Sequence, residues 1–208
     1  MLETPCIRRY SFTVTPHRDH VTVGSDNPTG AVNQQERPSF SAWLDATPLD
    51  VGHYVAGFVD GEGSFNVPIR RSVDRGLPWR VGLSFNVSQV GTASALFLRE
   101  VFGVGTMRSR PDGVTYFEVT RPRELEDRVI PFFERFPLRT PKQNDLAIFR
   151  RITELVQLGR HRSSLGIEEI LILRGPMNRG GKRRYCDEEI IALLRTGNPQ
   201  RPYAELPL

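Results

Sequence analysis

The chain has 208 residues, a formal net charge of +4 and a pI near 9.4. This length can bury one good-sized core, and the modest positive charge permits nucleic acid as a partner without requiring it. No apolar run approaches the roughly 20 residues of a membrane-spanning helix, so no membrane partner is expected. The two cysteines, Cys6 and Cys186, lie near opposite ends of the chain, which indicates a reducing compartment and no disulfide framework.

The N-terminal part of the chain has little to bury. Residues 1–46 are rich in Thr, Ser, Pro, Asn and Gln, so they are predicted to form a flexible N-terminal extension. Cys6, His17 and His20 have no fourth zinc ligand at a suitable spacing, which favours an incidental extension over a metal site. The first ten residues show neither the apolar core of a secretory signal nor a convincing transit peptide, so no targeting segment is expected.

A helix is predicted within residues 47–65, which read TPLDVGHYVAGFVDGEGSF. Thr47 can cap its N-terminus, Pro48 suits its first position, and Asp50 lies at the positive end of the helix dipole. The start of this helix is therefore well specified by the sequence.

The second half of the same helix has two features that need a reason. Glycine inside a helix costs about 1 kcal/mol relative to alanine, so Gly57 and Gly61, together with Ala56, predict the close approach of a second helix. Asp60 and Glu62 place carboxylates at the negative end of the helix dipole, beside exposed carbonyl oxygens. This arrangement is unfavourable unless a cation is shared among these oxygens, which predicts a metal site.

Strands and helices are predicted in alternation after this helix. Residues 64–72 and 79–89 alternate between apolar and polar positions and predict a hairpin, in which Pro68 suits an edge or a bulge. The order helix, hairpin, helix, hairpin, helix, helix predicts a single α+β unit over residues 47–160. The other predicted elements are a turn at 74–76, a helix at 92–102, a hairpin at 104–110 and 114–120 with its turn at 111–113, and helices at 122–136 and 144–158.

The predicted sheet has an outer face that the helices leave uncovered. A four-stranded antiparallel sheet with helices on one face leaves the other face to water or to a partner. Arginine pairs with guanine, asparagine with adenine, and serine with either, so the polar positions suit base edges and phosphates as well as plain solvent. These outer-face residues are Asn66, Arg70, Ser72, Arg80, Ser84, Asn86, Arg108 and Arg110.

The stretch VAGFVDGEGSF at residues 55–65 resembles the motif of the LAGLIDADG homing endonucleases. The resemblance covers residues 48 to about 160, and Glu62 stands where the family has its catalytic acid. It implies a four-stranded, saddle-like DNA-binding sheet and a site-specific endonuclease for double-stranded DNA, encoded by an intron or an intein. One copy of the motif in the chain implies a homodimer that recognises a long pseudo-palindromic site.

The resemblance also implies a metal cofactor, Mg²⁺ or Mn²⁺. The implied ligands are the carboxylate of Glu62, the carbonyl of Gly61 and the neighbouring Asp60. Hard oxygen ligands of this kind select such ions.

Two accessory residues follow from the same resemblance. Gln89 matches a family residue that organises water near the metal, and Lys142 lies where the family keeps a basic catalytic residue. Thr140 can align with that basic residue instead, which leaves Arg139 or Lys142 as its substitute. Ala93 also departs from relatives that have a basic residue at its position.

The C-terminal part of the chain, residues 161–208, is predicted to be a basic helical extension. Its link, GPMNRGGKRRY, combines glycines with basic side chains, which suits either contact with phosphates or simple solvation. A second class of function also stays open, namely an RNA maturase that binds its own intron RNA or a non-catalytic DNA-binding regulator. The expected location is the cytoplasm of a bacterium, with the nucleoid, or the matrix of an organelle.

Overall fold

The computed structural model describes residues 41–72, 76–180 and 183–196. Most of the predicted N-terminal extension, residues 74 and 75 of the first predicted turn, and Lys182 of the basic link lie outside the described residues. Within the described residues, no helix is both long enough and apolar enough to cross a membrane.

The described residues form eight α-helices and six β-strands in an α+β arrangement, as predicted. Helices α4 and α5 are joined by a π-helical segment, Leu125–Val129, and short 3-10 turns lie at Arg160–Arg162 and Met177–Gly180. The helices are α1 Ser41–Asp45, α2 Leu49–Glu62, α3 Ala93–Phe102, α4 Pro122–Glu124, α5 Ile130–Arg135, α6 Lys142–Gln157, α7 Ser164–Arg174 and α8 Asp187–Thr196. The strands are β1 Gly63–Asn66, β2 Ile69–Arg71, β3 Trp79–Val81, β4 Ser84–Val90, β5 Thr106–Ser109 and β6 Val114–Val119.

The sheet has four antiparallel strands in the order β1, β4, β6, β5, and β2 pairs with β3 in a separate two-stranded sheet. The first predicted hairpin is therefore interrupted, at Pro68 on one strand and at Gly82 on the other. Proline has no N–H to donate to a strand ladder, which ends β1 before it. The carbonyl of Pro68 still accepts a hydrogen bond from the N–H of Gly82 at 2.8 Å, so the two parts of the hairpin stay in register.

The core lies between the inner face of the sheet and the helices. Phe65 of β1 and Phe85 of β4 face each other across the strands, with their ring centroids 5.2 Å apart. Both rings are also close to Phe133 of α5, which places an aromatic cluster at the centre of the fold. The predicted alternation is confirmed, because all of its apolar positions are buried: Phe65, Val67, Ile69, Val81, Leu83, Phe85 and Val87.

Helix α2 begins differently from the prediction but ends where it was expected. Pro48 has an extended conformation and precedes the first helical residue, Leu49. The hydroxyl of Thr47 donates to the carbonyl of Trp43 at 3.2 Å and caps no N–H of α2. The predicted N-cap was wrong because Pro48, which has no polar side chain, takes the N-cap position directly before Leu49.

The last residues of the predicted flexible extension are helical and packed. The indole Nε1 of Trp43 in α1 donates to the carbonyl of Val101 near the end of α3 at 2.8 Å. The guanidinium of Arg128 lies over the Trp43 ring at 4.6 Å, and Arg135 donates to the carbonyl of Leu44 at 2.6 Å. The folded part of the chain therefore starts before residue 47.

The described part of the predicted C-terminal extension packs on the same core. Its buried residues in α7 and α8 include Ile167, Ile170 and Ile190. The guanidinium of Arg174 donates to the carbonyl of Val67 at 2.9 Å, and further hydrogen bonds join this segment to β1. This segment is thus a structural part of the fold.

Substitution of Gly52 by alanine tests the packing of α2. A Cβ atom at Gly52 would overlap ring atoms of Phe136, which is itself fully buried. Overpacking of this kind costs about 1–3 kcal/mol, which exceeds the gain of about 1 kcal/mol in helix propensity. We therefore expect Gly52→Ala to lower the free energy of unfolding measured by urea denaturation. An unchanged or raised unfolding free energy would contradict this contact.

Candidate active site and nucleic-acid interface

Asp60 is bound by its own chain near the end of α2. Its Oδ2 accepts a hydrogen bond from the backbone N–H of Arg139 at 2.7 Å. Its Oδ1 accepts one from the hydroxyl of Thr140 at 2.7 Å and one from the backbone N–H of Thr140 at 3.3 Å. These hydrogen bonds fix the loop before α6 to the end of α2, and the role of Asp60 as a metal ligand stays a prediction.

Lys142 is the first residue of α6 and returns to the same end of α2. Its Nζ donates to the carbonyl of Val59 at 2.8 Å and to that of Gly61 at 3.4 Å. The last carbonyls of a helix carry partial negative charge, so an ammonium group is favourable there even though the carbonyl of Val59 also accepts from the N–H of Gly63. The ammonium group of Lys142 therefore supplies one positive charge at this helix end, and the predicted metal ion stays a prediction.

The surroundings of Lys142 act on its pKa in opposite directions. Burial of the ammonium lowers the pKa from its ordinary value of 10.5, because desolvation disfavours the charged form. The nearby carboxylates of Asp60, Glu62 and Asp145 raise it, although by less than burial lowers it. The charge of Lys142 therefore depends on its acidic neighbours.

Glu62 is the last residue of α2 and points into solvent. It is exposed and accepts no hydrogen bond from any residue that the structure describes. The described residues also contain no group of three or more His, Cys, Asp and Glu side chains that could hold a metal. Mg²⁺ commonly binds one or two protein carboxylates and takes its other ligands from water and substrate phosphates. Glu62 with the adjacent carbonyl of Gly61 fits such an open site.

Gln89 lies near the end of β4 and is half-buried. Its Oε1 accepts a hydrogen bond from the backbone N–H of Val90 at 3.3 Å. Among the described residues, no hydrogen bond joins Gln89 to Glu62 or to Lys142, so its role beside the metal stays a prediction.

One face of α2 is open over its whole length. Gly57 and Gly61 are both exposed, and a Cβ atom at either position would meet no other atom within 4 Å. Tyr54, one turn before Gly57, is 62% exposed. Ala56 was predicted to share this face, but it is buried in the core of its own chain, because adjacent helical residues point about 100° apart. The open face therefore carries the two glycines without Ala56.

The outer face of the sheet forms an open groove of about 530 Å³. It collects five of the residues predicted there, namely Asn66, Arg70, Arg80, Ser84 and Asn86. Ser72 lines a neighbouring pocket beside Arg80, while Arg108 and Arg110 lie on and just after β5, at the other edge of the sheet.

Within the groove, one predicted contact residue is less accessible than expected. Ser84 is only 6% exposed, and its hydroxyl donates to Oε1 of Glu118 at 2.7 Å. Asn86 in turn donates to the Ser84 hydroxyl at 3.3 Å. Ser84 is therefore a link that orients Asn86 and Glu118, which are both half-buried and line the groove.

The basic side chains flank this groove in two pairs. Arg70 of β2 stands directly opposite Arg80 of β3, and like charges in opposite positions repel each other. At the other edge, Arg108 lies over the ring of Tyr116 at 5.2 Å, and Arg110 donates to the Tyr116 hydroxyl at 3.2 Å. Arg110 also forms an ion pair with Asp112 at 2.8 Å, which offsets part of the positive charge at this edge.

Comparison with known proteins decides the family of the chain. The sequence model described as LAGLIDADG endonuclease matches residues 55–153. The crystal structure of the homing endonuclease I-TnaI is 31% identical, with a TM-score of 0.60, and the match covers 70% of this chain and 96% of that one. The chain belongs to the LAGLIDADG endonuclease family.

Other LAGLIDADG proteins extend the comparison. The homing endonuclease I-ApeII of Aeropyrum pernix is 28% identical over 73% of this chain and 95% of its own length. Probable intron-encoded endonuclease 2 of Neurospora crassa is 32% identical over 61% of this chain, which spans only 29% of that protein. A crystal structure of the meganuclease I-SmaMI bound to uncleaveable DNA matches 72% of this chain and 51% of its own, with 26% identity and a TM-score of 0.61.

Sequence reasoning missed several functional neighbours in this LAGLIDADG chain. It did not include Glu118 among the contact residues of the outer face, and it did not find the hydrogen bonds from Arg139 and Thr140 to Asp60. One signal did point to the lysine that contacts the motif helix: of 28 basic residues, only Lys142 and Lys182 are lysines. At the end of α2 this lysine places a compact ammonium on the carbonyls of Val59 and Gly61.

Titration of Lys142 tests the contacts at the end of α2. Because the chain has only two lysines, labelled lysine gives two NMR signals, with Lys182 as the internal reference. We expect Lys142 to titrate below 10.5, as its burial requires. In Asp60→Asn its pKa should fall further, since one of the carboxylates that raise it is removed. A higher pKa in this variant would contradict the described geometry.

Proposed function

We propose that the chain is a site-specific, divalent-metal-dependent endonuclease that cuts both strands of double-stranded DNA as a homodimer. The observation that carries this proposal is the position of Glu62, an exposed carboxylate without a described hydrogen bond at the end of the motif helix. The groove with its basic rim supports it, because its asparagines and arginines suit base edges and phosphates.

The homodimer follows from the open face of α2. A cut through two strands needs two catalytic carboxylates, and one copy of the motif supplies one of them. Gly57 and Gly61 have room for the backbone of another helix, whereas any larger side chain would hold it away. Pairing two copies of α2 along this face brings their Glu62 carboxylates near a two-fold axis. A two-fold axis in turn makes the preferred DNA site long and pseudo-palindromic.

We assign the metal to Glu62 and the carbonyl of Gly61, with Mg²⁺ or Mn²⁺ as the ion that such oxygen ligands prefer. When bound, the ion supplies positive charge for the scissile phosphate and lowers the pKa of the attacking water. Two repelling Glu62 carboxylates near the two-fold axis are stabilised by the same positive charge. Glu62 therefore both binds the ion and fixes its position.

The neighbouring residues position this site. Lys142 holds the carbonyls of Val59 and Gly61 and brings a positive charge close to the DNA backbone. Asp60 fixes the loop that carries Lys142 and is a positioning residue. We assign to Gln89 the ordering of water near Glu62, from its place at the end of β4. Asp60 and Lys142 together set the distance between the loop and the helix end.

The DNA contacts come from the groove and its rim. Arg70 and Arg80 line the groove and are placed to contact phosphates of the bound DNA. Asn66 and Asn86 are placed to read base edges between these basic residues. An intron origin suits the named relatives, and the protein would act where its DNA target lies, with the bacterial nucleoid or in an organelle.

The substitution Glu62→Gln tests the catalytic assignment. We expect cutting of a plasmid library that contains the target to fall by more than about 100-fold, since a neutral amide holds a divalent ion poorly. Binding to the same DNA should persist. Cutting by the unmodified protein should require Mg²⁺ or Mn²⁺ and stop in EDTA.

A matched control for this test is Glu100→Gln in α3. Glu100 is an exposed carboxylate with no described hydrogen bond, so its loss should leave cutting unchanged. Normal cutting by Glu62→Gln would reject the metal assignment. Binding of DNA by the unmodified protein without cutting, in any of these metals, would reject the endonuclease and favour a regulator, and tighter binding to the intron RNA would favour a maturase.

The substitution Gly57→Ala tests the dimer. Within a single chain, a Cβ atom at position 57 would meet no other atom within 4 Å. Alanine is about 1 kcal/mol more favourable than glycine inside a helix, so the monomer should become more stable. If two copies of α2 touch at this position, the added methyl group should weaken the dimer about tenfold or more. Sedimentation at several concentrations measures the second effect. A dimer of unchanged affinity would place the interface elsewhere.

A further inference from the structure

A second pocket lies beside the groove, between β1, β2 and the C-terminal segment. It has a volume of about 350 Å³, and Asn66 and Pro68 belong to both the pocket and the groove. Its opposite wall comes from the segment between α7 and α8, including Asn178 and Tyr185. The pocket is therefore continuous with the surface on which the DNA would lie.

The charge of this pocket is strongly positive. Three arginines line it, Arg174, Arg183 and Arg184, and its described lining contains no carboxylate. Asp187 lies just behind them and accepts hydrogen bonds from Arg174 at 2.6 Å and from Arg183 at 2.7 Å. Asp187 thus pairs with two of the three guanidinium groups, and these four side chains carry a net charge of two positive units.

Arg174 forms the base of the pocket and is unusually buried for a cation. It is only 6% exposed, and its Nε has no hydrogen-bond acceptor among the described residues. Burial of the guanidinium lowers the pKa of Arg174, against the attraction of Asp187. An incompletely paired buried cation is costly on its own, and an anion bound nearby offsets part of that cost.

The other two arginines differ in how firmly they are held. Arg183 donates to Asp187 and also to the carbonyls of Arg174 and Gly175 at 2.8 Å, so it caps the end of α7. Arg184 is exposed, lies over the ring of Tyr185 at 5.6 Å, and forms no ion pair within the described residues. Arg184 is therefore the side chain that is free to contact a ligand.

From these observations we propose that the pocket is a subsite for a backbone phosphate of the bound DNA, contacted by Arg184. The subsite extends the DNA contact beyond the sheet, past Asn66 and Pro68. The planar guanidinium of Arg184 suits bidentate contact with a phosphate. The C-terminal segment thus takes part in DNA binding, and this inference rests on the proposed function.

Salt dependence of DNA binding tests the subsite without knowledge of the target. The full-length protein is titrated in EDTA against a 30-base-pair duplex of arbitrary sequence, and the binding constant is measured at several salt concentrations. Each phosphate that a protein neutralises contributes about 0.9 to the slope of log K against log salt concentration. Arg184→Gln should reduce this slope by about that amount, whereas Arg184→Lys, which keeps the charge, should restore most of it.

The control is Arg150→Gln, which removes the same charge from the exposed side of α6, where Arg150 pairs with Glu134. Its slope should equal that of the unmodified protein. Equal slopes for Arg184→Gln and the unmodified protein would overturn the subsite while DNA binding stands. Equal losses for Arg184→Gln and Arg150→Gln would also overturn it, because the effect would then be one of net charge. If the unmodified protein binds no duplex at all, the proposed function fails first and the subsite with it.

Discussion

The excess of negative charge at the C-terminus of α2 is the constraint on which the candidate site depends. The carbonyls of Val59 and Gly61 and the carboxylates of Asp60 and Glu62 converge there, and the helix dipole adds to them. The chain resolves part of this conflict itself, with the ammonium of Lys142 on the carbonyls and backbone N–H groups on Asp60. Only Glu62 is left without a described partner. The same contacts that stabilise the helix end thus single out one carboxylate for chemistry.

The same strands contribute side chains to the core on one face of the sheet and to the groove on the other. Because side chains alternate along a strand, Phe65 and Phe85 fill the core while their neighbours Asn66 and Asn86 line the groove. A change of register by one residue would exchange these two sets, so the packing of the phenylalanine rings fixes the position of the polar residues. The packing of the buried face therefore determines where the polar side chains lie on the outer face.

The sequence predicted the features that have a period or a motif. The alternating strands gave the sheet and its outer face, and the end of α2 was placed correctly at Glu62. The contacts that were missed join residues far apart in the chain, such as Asp60 with Thr140, and nothing in local spacing encodes them. Thr47 and Ala56 were misassigned for local reasons, because Pro48 takes the N-cap position and Ala56 lies about 100° around the helix from Gly57.

The hydrogen bonds from the C-terminal segment to β1 have a consequence for the solubility of the fold. Strand β1 is at the edge of its sheet, where unpaired backbone groups can recruit a strand from another molecule. Asn178 occupies the carbonyl of Phe65, and Arg174 occupies that of Val67. A core shortened to the motif-bearing part would expose this edge and tend to aggregate. The segment after α6 therefore also protects the protein from self-association through its sheet.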